Sequence, residues 1–280
     1  MVLDPTQPTT PPSQPAPIEA KVREPQTLGR FGRTWLWFEF ITLYAFIPAL
    51  VAAVMDPDQR FDPLFNALGL TALSNPPWPP GSIILPLVFV FGLLLGLFLL
   101  IDPTFDNRQL WNWRAFKRDL PRVAPLFLFN AAAMLGIAWL LQNFTGVMTI
   151  TSRDGSETEA LLRLPREAPW LLVFIAIGYP IASAFPQEVT HRAFFFHRYT
   201  RIIPNPRVLF TLNVLAFVWL HAPFWGLMAF VITLPGGVLF AWTWVRTRSL
   251  LAVGVEHWLY GWWLFFTGLG WFVYAGSVGS

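Results

Sequence analysis

Cysteine occurs nowhere in the 280 residues. Disulfides, thiolate metal sites and a cysteine nucleophile are thereby excluded. Charge is scarce as well: 12% of the residues are Asp, Glu, Lys or Arg, against about 25% in a soluble domain. What fills the chain instead is apolar, 55% of it, with a mean hydropathy of +0.50. This is the composition of a membrane protein. The net charge is only +3. The basic residues flank hydrophobic runs and form no stripe, so no nucleic-acid partner is expected.

Residues 1–30 are a different material. Pro5, Pro8, Pro11, Pro12, Pro15, Pro17 and Pro25 break any helix, and apolar residues are sparse. A disordered or polyproline-like cytoplasmic tail is expected. A secretory signal peptide is not, because no apolar segment follows the first basic residues at the right distance.

Windows of hydrophobicity predict helices over 35–55, 82–101, 123–142, 169–196, 208–224, 226–245 and 249–267. The expected fold is therefore all-α: a polytopic membrane helix bundle of about seven transmembrane helices, with the site among the C-terminal four. Residues 31–168 carry helices one to three, and residues 169–280 carry helices four to seven as a core. The remaining stretch, 268–280, is Gly-rich and too short to span alone.

Positive charge orients such a bundle. Lys21, Arg23, Arg30 and Arg33 precede the first helix. Arg108, Arg114, Lys117, Arg118 and Arg122 lie between the second and third, His197, Arg198, Arg201 and Arg207 after the fourth, and Arg246 and Arg248 after the sixth. Seven alternating spans put all four clusters on one side. An integral, multi-pass protein with a cytoplasmic amino terminus is expected. Trp35, Trp37, Trp78, Trp111, Trp113, Trp170, Trp225 and Trp244 fall near predicted helix ends, as an aromatic belt would.

Against this background Glu188, Arg192, His221 and His257 stand out. Ionisable groups in hydrocarbon cost roughly 2.5–3.5 kcal/mol each and usually face a protein interior or a water-filled cavity. At 1.5 Å per residue, Glu188 lies ~18 Å from the cytoplasmic helix end, His221 ~20 Å and His257 ~12 Å. Three groups on three helices thus share one slab. Glu188 and Arg192, four apart, can pair as ions on one face; a purely structural pair gives the same pattern. Phe217 and His221 share a face of the next helix, where a lone His is as readily an interhelical hydrogen bonder. Glu256 sits beside His257, though adjacent residues diverge by about 100° and it can simply face away. A carboxylate with two imidazoles can hold a water and take its proton. The same groups could ligate Zn²⁺ with an open position for water. Both readings predict hydrolysis.

Gln187-Glu188-x-x-x-Arg192, Phe217-x-x-x-His221 and His257-x-x-x-Gly261 stand in order on separate predicted spans. In this the chain resembles the CPBP intramembrane proteases, the CAAX-protease and bacteriocin-processing group that includes the Ras-converting CAAX endopeptidases. The family's motifs are Glu-Glu-x-x-x-Arg, Phe-x-x-x-His and His-x-x-x-Asn, and the resemblance covers roughly 169–270. Phe194 to Tyr199 and Glu256 to Gly261 look like a bacterial branch. The resemblance implies an intramembrane endopeptidase that hydrolyses a peptide bond of a membrane-embedded or lipidated substrate. Glu188 would be the base, and His221 and His257 would hold the water and share its protons. Arg192 would fix the carboxylate, with Gln187, Phe217 and Glu256 in support. No metal or other cofactor is needed by that mechanism; zinc is the less favoured alternative.

Two positions depart from the family pattern. Gln187 replaces the first Glu; it cannot be a base, but it can donate to an oxyanion or orient Glu188. Gly261 replaces the Asn, and Asn213 lies two turns from His221, too far along its helix to be an obvious substitute. A catalytically inactive membrane scaffold or chaperone on the same fold is therefore the alternative reading. A proton or ion conductor ranks below both, since the polar groups cluster at one depth and form no ladder across the bilayer.

Overall fold

The computed structural model describes residues 28–76, 80–151 and 157–273. The expected Pro-rich tail falls almost wholly outside the described residues, as does Trp78 of the expected belt. Seven long helices follow one another among the described residues. They are α1 (Arg30–Val54), α2 (Ile84–Ile101), α3 (Trp113–Phe144), α4 (Pro169–Tyr199), α5 (Pro206–Trp219), α6 (Leu227–Thr247) and α7 (Leu250–Thr267). Strands β1 (Thr149–Thr151) and β2 (Glu157–Glu159) pair antiparallel, with Ile150 opposite Thr158. The protein is an all-α polytopic membrane bundle with this one small hairpin among the described residues.

Six helical segments are long and apolar enough to cross a membrane: Arg30–Val54, Gly81–Ile101, Asn107–Phe144, Pro169–Tyr199, Pro206–Phe224 and Leu227–Thr247. Their outward faces are apolar, as Leu93, Leu94, Phe129, Phe174 and Ile177 illustrate. Lipid is the solvent that tolerates such a surface. The seventh helix, α7, is outside that set because Glu256 and His257 interrupt its apolar run. It is the interior helix, packed against α3, α4 and α6, and its Leu250 to Gly254 stretch is buried throughout.

Local chemistry sets the helix ends. Asn112 caps α3, its side chain accepting from Ala115 N at 3.1 Å, so the helix begins at Trp113 instead of 123. The charged turn ahead of the expected start is amphipathic helix, with Ala115, Asp119 and Val123 inward. Asn205 caps α5, with Pro206 in the first turn, where its missing N–H costs nothing. That helix ends at Trp219 instead of 224. Pro223 explains the end: its ring would strike the carbonyl four residues back. Ser249 caps α7 through Ala252 N, and Gly268 closes it at φ +91°, a conformation that suits glycine.

The core lies around the last turns of α4. Phe194, Phe195, Phe196 and Tyr199 pack with Tyr44, Phe217, Phe240, Trp244 and Val253. Trp244, expected in the belt, belongs to this core at 1% exposure, whereas Trp35, Trp111 and Trp170 are exposed. Gly92 of α2 meets α4 closely: a Cβ there would lie 2.5 Å from Cβ of Pro186.

Candidate active site

The helix that carries Glu188 is not a regular α-helix. Pro180–Ala184 and Val189–Phe194 are π-helical, on either side of the short α-helical stretch Phe185–Glu188. Pro180 and Pro186 each withhold a backbone N–H, which favours such widening. Widening also leaves carbonyls without their usual partner, and side chains meet them. Thr190 Oγ1 donates to Pro186 O at 2.9 Å. His191 Nδ1 donates to Gln187 O at 3.2 Å. Tyr44 of α1 donates to Thr190 O at 2.7 Å, and the Asn213 amide donates to His191 O. π-Helical turns of this kind recur at functional sites.

Glu188 is fully buried. Its Oε1 lies 2.8 Å from Nδ1 of His257 on α7, and its Oε2 lies 3.2 Å from Nε of Arg192 one turn on. An ionised carboxylate can only accept, so Nδ1 of His257 carries a hydrogen. Nε2 of His257 lies 3.0 Å from the Tyr179 hydroxyl. Phe240 stacks on the imidazole at 4.5 Å and holds its plane.

Arg192 is buried and multiply held. Its Nη1 donates to Asn213 Oδ1 at 2.7 Å, and its guanidinium lies 4.8 Å from the Phe217 ring centre. A buried guanidinium needs such a set of partners. The same Phe217 ring meets His221 at 5.2 Å and His257 at 5.6 Å between centres. His221 lies just past the end of α5. Its Nδ1 donates to Phe217 O at 2.9 Å, so Nε2 is left as an acceptor in the neutral ring.

The structure thus gathers Glu188, Arg192, Phe217, His221 and His257, drawn from α4, α5 with the turn beyond it, and α7. Two further expectations need revision. Gln187 is next to Glu188 but turns to Ser183, donating to its Oγ at 2.8 Å, and its buried Oε1 makes no hydrogen bond among the described residues. Glu256 does not join the group. About 100° around α7 from His257, it faces Arg122 of α3 at 3.6 Å, and Arg122 in turn binds Asp119 at 2.7 Å.

Three participants were not expected as site residues: Tyr179, His191 and Asn213. Tyr179 lies nine residues before Glu188, which on a regular α-helix is ~180° away. One extra residue in the π-helical turn between them reduces this to ~80°. No periodicity in the sequence signals that shift. Asn213 had the residue type of a hydrogen-bonding partner, but its bond runs to Arg192 and not to the imidazoles.

Among the described residues no three His, Cys, Asp or Glu side chains are placed to share one metal ion. His257 spends one nitrogen on Glu188 and meets Tyr179 with the other. A cavity of about 290 Å³ lies elsewhere, at the Tyr199 end of α4, lined in part by His197, Arg201 and Arg248; it touches none of Glu188, His221 and His257.

The multi-pass membrane bundle buries a carboxylate, two imidazoles and a guanidinium together. Residues 168–263 match the family described as Rce1-like, type II CAAX prenyl endopeptidase Rce1-like, so this stretch of the chain is similar to that family. The matched residues hold α4 to α7 almost to the end and every member of the gathered group. No curated protein and no solved structure matches the chain.

Proposed function

We propose that the protein is an intramembrane endopeptidase in which Glu188 activates water against a peptide bond of a membrane-embedded or lipidated substrate. The observation that carries this reading is the 2.8 Å contact between Glu188 Oε1 and His257 Nδ1, joining two helices inside the family-matched stretch. Glu188 takes a proton from the water as its oxygen adds to the carbonyl carbon. His221, with an acceptor at Nε2, holds that water, and His257 shares the proton taken from it. The C–N bond then breaks, and the amine leaves with the proton Glu188 had taken. Arg192 holds the carboxylate in place. The basic clusters that bracket the helices support a cytoplasmic amino terminus, and on this reading the protein sits in a bacterial inner membrane.

The test is cleavage by purified protein in detergent, offered a panel of membrane and prenylated peptides. Cleavage that disappears in Glu188→Gln and His221→Ala supports the reading. Equal cleavage by those variants, or none by the wild type, overturns it.

One observation favours a second reading, a catalytically inactive membrane scaffold or chaperone. Gln187 carries an amide, not a carboxylate, and turns it to Ser183, while Glu188 is held by fixed partners at both oxygens. On that reading Gln187→Glu gains cleavage where the wild type has none, and a partner protein stays bound to Glu188→Gln.

A further inference from the structure

Gly261 lies one turn beyond His257 on α7, on the same face. A Cβ at that position would lie 2.3 Å from both Cε1 and the hydroxyl oxygen of Tyr179. The Tyr179 ring therefore occupies the space a longer residue at 261 would take. Tyr179 is placed there by the π-helical turn that follows it. Its hydroxyl ends 3.0 Å from Nε2 of His257.

We propose that the Tyr179 hydroxyl is the hydrogen-bond donor of this site, holding His257 before reaction and binding the oxyanion during it. Its logic follows from the tautomer. With Nδ1–H of His257 given to Glu188, Nε2 is an acceptor and the tyrosine O–H donates to it. When the imidazole shares the proton taken from the water, holding it at Nε2 in place of Glu188 until the amine leaves with it, that acceptor is gone and the O–H is released. The N–H and the O–H are then two donors whose heavy atoms lie 3.0 Å apart. Both reach one oxygen at the 2.7–3.1 Å of an oxyanion hole. No other protein donor contacts Nε2 of His257 among the described residues. This inference rests on the reading of Glu188 and His257 as a hydrolytic pair.

The test compares Tyr179→Phe, which keeps the ring, and Tyr179→Ala with two double variants, Tyr179→Ala/Gly261→Asn and Tyr179→Ala/Gly261→Val. The substrate is the membrane or prenylated peptide that the wild type cleaves. Expected for Tyr179→Phe is a kcat lower by about 100-fold with KM changed less than about threefold. The asparagine double variant recovers at least about tenfold over Tyr179→Ala, because an amide can donate where the hydroxyl did; the valine one, which only fills space, does not. Wild-type kcat in Tyr179→Phe, or equal recovery by both double variants, overturns the proposal. Imidazole ¹⁵N shifts of His257 in [¹⁵N]His-labelled protein separate this from failure of the hydrolytic reading. A wild type that cleaves nothing removes the oxyanion role. A Nε2 signal that moves in Tyr179→Phe still supports the hold on His257, and one that does not move overturns it.

Discussion

Glu188 on α4 and His257 on α7 are 69 residues apart, and Oε1 of one meets Nδ1 of the other at 2.8 Å. Both side chains are buried. Arg192 flanks the carboxylate and Phe240 the imidazole. Preorganisation of this kind lets a site act without rearranging when charge develops.

Glu188→Gln keeps shape and most packing while it removes the base. Peptide cleavage should fall by about 10²–10⁴-fold, the range of general acid–base catalysis. The protein should still purify as a monodisperse species, which separates lost chemistry from lost fold.

Glu256→Gln is the control at the neighbouring carboxylate. Because Glu256 faces Arg122 and not the imidazoles, kcat should stay within about threefold of wild type. Thermal unfolding in detergent should move down, since Arg122 loses a charged neighbour. A loss of activity as large as that of Glu188→Gln would count against the placement of Glu256 outside the site.

Asn213→Leu removes the acceptor of Arg192 Nη1 and the donor to His191 O together. Each buried group left unpaired costs about 1–3 kcal/mol. A clear drop in melting temperature is expected. Activity should fall with it, because Arg192 loses its fixed position beside Glu188.

Gly92→Val tests the α2–α4 contact. The added Cβ would lie 2.6 Å from Cα of Pro186, and backbone cannot yield as a side-chain tip can. Overpacking costs about 1–3 kcal/mol, and it displaces the helix segment that carries Glu188. Reduced thermal stability and reduced cleavage should appear together.

Asp102 supplies a pH dependence outside the membrane-spanning segments. Burial pushes its carboxyl up, but hydrogen bonds from Thr104 and His197 outweigh this and hold it below the ordinary carboxylate range. A depressed carboxyl contributes stability that is complete above its unfolded value of about 3.9. That contribution is lost as pH falls through the folded value. Melting temperature should therefore decline on acidification below about pH 4. Asp102→Asn should start lower at pH 7 and show a shallower decline.

The membrane class and the run of helices were legible because they depend on local chemistry, whereas the ends of α3 and α5 were not located by windows of hydrophobicity. Long apolar segments can be satisfied only as helices in lipid, and Asn112, Asn205, Ser249 and Gly268 mark ends by capping. Glu188, His221 and His257 were legible because ionisable groups cost too much in hydrocarbon to be scattered there. Pro223, which stops α5 and leaves His221 in a turn, was equally present in the sequence, though a window of hydrophobicity passes over it. The partners were decided by the tertiary structure. The direction of Glu256 depends on where α3 places Arg122. The arrival of Tyr179 at His257 depends on one extra residue in a π-helical turn. Its fit depends on α7 presenting glycine where the ring must pass. Sequence records a residue's type and its spacing along the chain. The angle at which a helix turns its side chains, and the neighbour they then meet, follow from hydrogen-bond register and packing across helices.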